Sequence, residues 1–333
     1  MHRSWRGTGD AYADGVADRT LTLMAVHAHP DDEATSTGGV LAKYAADGLQ
    51  TVLVTCTDGR CGDGPGGVKP GEPGHDPAQV VAMRQGELEA SCAVLEVSHL
   101  ELLGYADSGM MGWATNAAPH SFWNTPVDEA ATRLAALIEQ YQPDVIVTYD
   151  ANGFYGHPDH IQTHRVTMAA IKQTATPAKV YWTTVPRSHM AEFRRVMREY
   201  GADWDEPGSD NDDNNTDNND ESGATPTGDE QEPPIGLPDE EVTTWVDTRA
   251  YGGQKFRALQ AHASQGENIF FLRMGQEKFT EMMGVETFVR VDAHTPTGAR
   301  EDDLFAGVRG LELGLAESAV GHDVTDVAAA PSE

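Results

Sequence analysis

Apolar positions along the chain fall into short continuous runs separated by longer amphipathic stretches. The runs 21–28 (LTLMAVHA) and 51–57 (TVLVTCT) are short and almost uniformly apolar, which predicts strands buried on both faces and therefore parallel pairing. Further strands are predicted over 99–103 and 144–149, and helices over 38–46, 78–95, 126–140 and 159–172, the first ended by Gly48. Alternation of this kind implies right-handed crossovers and a Rossmann-like α/β fold, a doubly wound, mostly parallel sheet with helices on both faces. Binding sites in such sheets collect at the carboxyl ends of strands. A strand over 243–246, a helix over 251–264 and a strand over 286–291 add a small C-terminal α+β portion to the same domain.

Two of the predicted strands run into polar clusters. The first ends at His29-Pro30-Asp31-Asp32-Glu33, and a later one leads to Tyr155-Gly156-His157-Pro158-Asp159-His160. Imidazole and carboxylate suit a borderline cation, and a catalytic zinc keeps three such ligands with one position open for water. His29, Asp32 and His160 would supply that set. Pro30 stiffens the turn so that its two adjacent carboxylates diverge, Asp32 toward the ion and Asp31 toward the water. Iron(II) suits the same ligands.

Charge and composition narrow the partners. With 23 basic against 53 acidic residues the net charge is −30, which disfavours nucleic acid and anionic membranes. The stretch 203–241 holds 15 acidic residues and no Lys or Arg, so it is expected to be a disordered acidic insertion. Residues 1–19 are expected to be flexible, 20–200 to form the catalytic core, 242–292 to complete the domain and 293–333 to form a loose acidic tail. Cys56, Cys61 and Cys92 match neither a disulfide framework nor a zinc knuckle, and no segment reaches the ~20 apolar residues of a membrane span. A cytoplasmic protein with reduced thiols is expected; a homo-oligomer is left open. The glycine-rich stretch 62–74 lacks the Gly-Lys-Ser/Thr ending of a phosphate loop and reads as a mobile active-site loop.

HPDDE after the first strand and HPDH after the later one resemble the LmbE-like, or PIG-L-type, zinc-dependent N-deacetylases. Segments 53–59, 84–88, 107–110, 147–153 and 179–183 are similar to the branch of that family serving mycothiol biosynthesis. The resemblance implies an amidohydrolase that removes acetyl from a small N-acetylglucosamine-containing molecule, the glucosaminyl-inositol precursor of mycothiol. A mycothiol S-conjugate amidase and a deacetylase of a glycosylated secondary metabolite are the alternatives.

The same resemblance implies roles for individual residues. Asp31 would be the general base, and His157, in its cationic form, would donate to the developing oxyanion. Asp159 would orient an imidazole, and Tyr155 would approach the carbonyl oxygen. Arg84 and Asp107 match positions that meet a sugar substrate, with Met110, Trp113 and Trp123 as candidates for the pocket wall. Glu33 reads as a charge at a helix start that could also support the site from behind, while Lys255, His262 and Gln265 receive no chemical role. One departure stands out: where that branch leads one to expect Gly-Gly before Tyr155, this chain has Gly153-Phe154.

Overall fold

Alternate residues of β1 (Thr22–His27) point to opposite sides of the sheet and divide the core in two. Leu23 and Ala25 join Leu41, Leu95, Leu259 and Phe279 on one face, while Met24 and Val26 join Leu134, Ile138 and Val166 on the other. Every residue of β1 is buried, as expected of a strand covered by helices on both sides. The computed structural model describes residues 19–174, 177, 179–200, 235–291 and 300–308.

One seven-stranded sheet runs in the order β3-β2-β1-β4-β5-β7-β6, with β2 at Gln50–Thr57, β3 at His99–Tyr105, β4 at Val145–Thr148, β5 at Lys179–Thr184, β6 at Thr244–Asp247 and β7 at Val285–Arg290. The first five strands in this order pair in parallel; β7 is antiparallel to both β5 and β6. Strand order reverses between β1 and β4, which makes their carboxyl ends the switch point where a crevice opens. The helices α1 (Gly38–Ala46), α2 (Pro77–Leu95), α3 (Val127–Tyr141), the one-turn α4 (Gly153–Gly156), α5 (Pro158–Gln173), α6 (Arg187–Glu199), α7 (Gly252–Ala261), α8 (Gly266–Arg273) and α9 (Gly275–Met283) complete the chain. Among the described residues, no helix is long and apolar enough to cross a membrane.

Two expectations need correction. Part of the tail expected to be loose beyond 293 docks on the core: Leu304 and Phe305 are fully buried, and Asp303 accepts a 2.8 Å hydrogen bond from the Tyr44 hydroxyl. Burying each of those apolar side chains is worth about 1.5–3 kcal/mol, more than the surrounding acidic composition suggests. Likewise, the end of the 203–241 stretch belongs to the fold, since Ile235 is buried and the 237 main chain bonds with Val185 and Arg187. Residues 1–18, 201–234, 292–299 and 309–333 lie outside the described residues.

Lys255 is a structural strut. Its ammonium, 1% exposed, lies 2.7 Å from Glu286, whose carboxylate accepts the N–H groups of Gly39 and Val40 at the start of α1. A carboxylate there complements the positive end of the helix.

Candidate active site

The turn after β1 is strained where the chemistry was expected. Asp31 adopts φ 120°, a left-handed value that non-glycine residues rarely take, and a five-residue π-helical turn, Glu33–Thr37, follows before α1. The turn after β4 is tight for a different reason. Gly153 has φ 62°, and a Cβ there would sit 2.6 Å from the main-chain nitrogen of Ile161. Phe154 has φ 67° and ψ −63°, the kind of conformation glycine accepts without cost. His157 then caps α5, its Nδ1 accepting the Asp159 N–H at 3.1 Å.

These turns bring His29, Asp32 and His160 together. Nδ1 of His29 is 3.3 Å from Nε2 of His160, and oxygens of Asp32 lie 3.4 Å from the former and 3.5 Å from the latter. Ligands about 2.0–2.1 Å from one tetrahedral ion stand about 3.3–3.4 Å apart, so the two imidazole nitrogens have ligand spacing and Asp32 faces one with each of its oxygens, a set that could hold a metal. Two sets that overlap this one, His29/His157/His160 and His29/Asp107/Asp159, each offer three donor atoms within 4.8 Å of one another. Hydrogen bonding favours the first-named trio. Asp159 lies 3.3 Å from Nε2 of His29 and so fixes the tautomer that bares Nδ1, while Nδ1 of His157 is already engaged.

Electrostatics separate the two neighbouring carboxylates. Burial pushes Asp31 up to about 6, partly opposed by the guanidinium of Arg84. Asp32 is also buried, yet the adjoining imidazoles of His160 and His29 hold its carboxyl well below the usual range. Burial disfavours a charge on His29, but Asp107, Asp159 and Asp32 outweigh it and favour positive charge at that ring. The carboxylates of Asp107, Asp159 and Asp32 thus surround that ring with negative charge.

His157 departs from the expectation of a cation. Burial, with His29 and His160 alongside, lowers it to about 2, and its acceptor role at Nδ1 requires that atom to be unprotonated. The neutral ring therefore carries its proton on Nε2, where it can still be donated. The ring of Tyr155 stands edge-on to His160 at 5.1 Å and to His157 at 6.0 Å.

Arg84 and Asp107, expected to meet a sugar, are almost fully buried, and most of their polar atoms are engaged inside the protein, although Nε of Arg84 has no hydrogen-bond partner among the described residues. Arg84 donates to the carbonyls of Gly59 and Pro30 and lies 3.1 Å from Oδ2 of Asp31. Asp107 accepts from the N–H groups of Cys61 and Gly109 and lies 3.6 Å from Nε2 of His29. Met110 and Trp113 are each 41% exposed, whereas Arg165 covers the ring of Trp123.

Three residues that sequence reasoning gave little or no role support the site, two of them by bonding Asp31. Glu33, fully buried, accepts the Asp31 N–H at 3.0 Å and also bonds Ser91 and His262. Asn268, which no motif marks, donates to Oδ2 of Asp31 at 3.2 Å. Gln265 pairs with the main chain of Asp63 and ties down the glycine-rich loop that was expected to be mobile.

A doubly wound sheet with two imidazoles and a carboxylate at its switch point, and a second carboxylate of raised pKa next to them, is the framework of a metal-dependent hydrolase. The family model of GlcNAc-PI de-N-acetylase, PIG-L, matches residues 24–171. A 1D-myo-inositol 2-acetamido-2-deoxy-α-D-glucopyranoside deacetylase of Acidothermus cellulolyticus is 40% identical over 305 residues, covering 88% of this chain and 97% of that protein. A deacetylase of the same name from Thermobifida fusca is 41% identical over 307 residues, covering 85% and 98%. The chain belongs to the PIG-L family. Among solved structures, 4-carboxy-2-hydroxymuconate hydratase from Pseudomonas putida KT2440 shares the fold, with a TM-score of 0.53 at 16% identity over 84% of this chain and all of that one.

Proposed function

We propose that this chain is a zinc-dependent, cytoplasmic hydrolase that removes the acetyl group from 1D-myo-inositol 2-acetamido-2-deoxy-α-D-glucopyranoside in the synthesis of mycothiol. The observation that carries the chemistry is the arrangement around Asp31: Arg84 and Asn268 occupy Oδ2, and Oδ1 has no hydrogen-bond partner among the described residues. Near-complete coverage of relatives bearing that substrate in their names supports the choice of amide. The three free cysteines support a reducing compartment.

His29, Asp32 and His160 would hold the zinc, which when bound polarises a carbonyl and makes water a stronger acid. Oδ1 of Asp31 takes a proton from the attacking water as the new C–O bond forms at the acetamide carbon. As the C–N bond breaks, Asp31 returns that proton to the leaving nitrogen, so acetate and a free amine are the products. Nε2 of His157 donates to the carbonyl oxygen as it gains charge, and the Tyr155 hydroxyl is the second donor. Asp159 keeps His29 in its metal-binding tautomer. Arg84 and Asp107 act within the protein, on Asp31 and His29, which leaves Met110 at the exposed rim to meet the sugar.

The test is acetate release by zinc-loaded protein from the inositol glycoside, from simple N-acetylglucosaminides and from a bimane-labelled mycothiol conjugate. The expected order places the inositol glycoside first. Faster cleavage of the conjugate would move the chain to the S-conjugate amidases. Asp31→Ala should retain its metal and lose about 10²–10⁴ in turnover.

A further inference from the structure

The turn after α7 and the first turn of α8 reach Asp31 from the other end of the chain by two routes. Asn268, 4% exposed, donates Nδ2 to Oδ2 of Asp31 at 3.2 Å. His262, fully buried, donates Nε2 to Oε1 of Glu33 at 2.7 Å, and Oε2 of Glu33 accepts the main-chain N–H of Asp31 at 3.0 Å. Ser91 supplies a further donor to Oε1. Glu33 is thus a buried carboxylate with both oxygens bonded, linking the turn after α7 to the Asp31 backbone.

Such a link has a job at this position. A residue at φ 120° costs on the order of 1–3 kcal/mol and stays there only when its surroundings over-determine it. The bond to Glu33 fixes the strained main chain; the bonds to Asn268 and Arg84 fix which carboxylate oxygen turns inward. Between them they decide where Oδ1 points.

Resting on the reading of Asp31 as general base, we propose that Asn268 and His262 are positioning residues for the deacetylation: Asn268 sets the rotation of the Asp31 carboxylate, and His262, acting through Glu33, sets its backbone. Neither side chain contacts the three metal-binding groups, so their loss leaves metal binding intact. The cost falls on the proton transfer and therefore on kcat.

Asn268→Ala, His262→Gln and His262→Leu are compared alone and in an Asp31→Asn background, with kcat, KM, bound zinc and Tm measured for each. Asn268→Ala lowers kcat about tenfold with KM and zinc unchanged. His262→Leu lowers it at least as far, and His262→Gln, whose amide still reaches Glu33, restores most of the loss. In the Asp31→Asn background the same changes alter the residual turnover by less than about twofold, because no base remains to be placed.

Equal losses in both backgrounds, or a fall explained by KM or by lost zinc, overturn the positioning role. If His262→Leu does not fold, Asn268→Ala and His262→Gln carry the comparison. Unimpaired turnover in Asp31→Asn alone would instead remove the base assignment, and the positioning role with it.

Discussion

The two strand-end turns that meet at the site are held in opposite ways. The turn after β1 is braced by charge, with Arg84, Asn268 and the Glu33–His262 pair all converging on Asp31. The turn after β4 is braced mainly by shape, with Gly153 pressed against the start of α5 and His157 serving as that helix's cap, while the Asp150 carboxylate holds only main-chain N–H groups, those of Asn152 and Phe154. The difference follows from what each supplies. A base must be tuned, so its neighbours set its acidity; a donor must be aimed, so its neighbours set direction.

Removing the aimed group tests this division most severely. His157→Ala should cost about 10²–10³ in kcat with zinc retained. A loss of less than about threefold would mean that the second turn only shapes the pocket. Removing a tuning group should act on pH instead. A base works deprotonated, so kcat/KM rises with pH through the Asp31 value of about 6 and fades below it. Because Arg84 holds that value down, Arg84→Met should move the acid limb upward by about one pH unit. An unmoved limb in the pH profile would show that charge does not tune the first turn.

The smallest effect concerns strain. Phe154 sits at φ 67° with its main-chain N–H accepted by the Asp150 carboxylate at 2.9 Å, a bond glycine would keep, so Phe154→Gly should raise stability by about 1 kcal/mol, read as a shift in the denaturation midpoint. Glycine's extra freedom in the unfolded chain offsets part of the relief. No gain would mean that the ring of Phe154, 6.1 Å from that of Tyr155, contributes as much as the strain removes.

Legibility in the sequence tracked the range of each interaction. β1, β2 and α1 were readable because their signals are local: apolar runs, and a helix stopped by Gly48. The meeting of the two turns that carry His29, Asp32 and His160 was readable because each cluster is itself contiguous, so only one long-range contact had to be inferred. Asn268 and His262 carry no such signal. They lie 237 and 229 residues from their partners Asp31 and Glu33, and an isolated Asn or His in a helical region looks the same with or without a partner. The charge on His157 was misjudged for a related reason, since it depends on burial beside two other imidazoles. Arg84 has the fork geometry for a substrate but meets a carboxylate and two carbonyls inside the fold first.

The docked segment around Glu301 has a consequence beyond packing. β6 ends the sheet, and its outward N–H and C=O groups at Trp245 and Thr243 are capped by the main chain of Glu301 at 2.9 and 3.0 Å. Lys179, Arg290 and the Tyr181 hydroxyl clasp the carboxylate of the same residue. An unprotected strand margin is a template for self-association. This short stretch therefore acts as a guard against aggregation, and a chain cut just before residue 300 would expose a row of hydrogen-bonding groups to its neighbours.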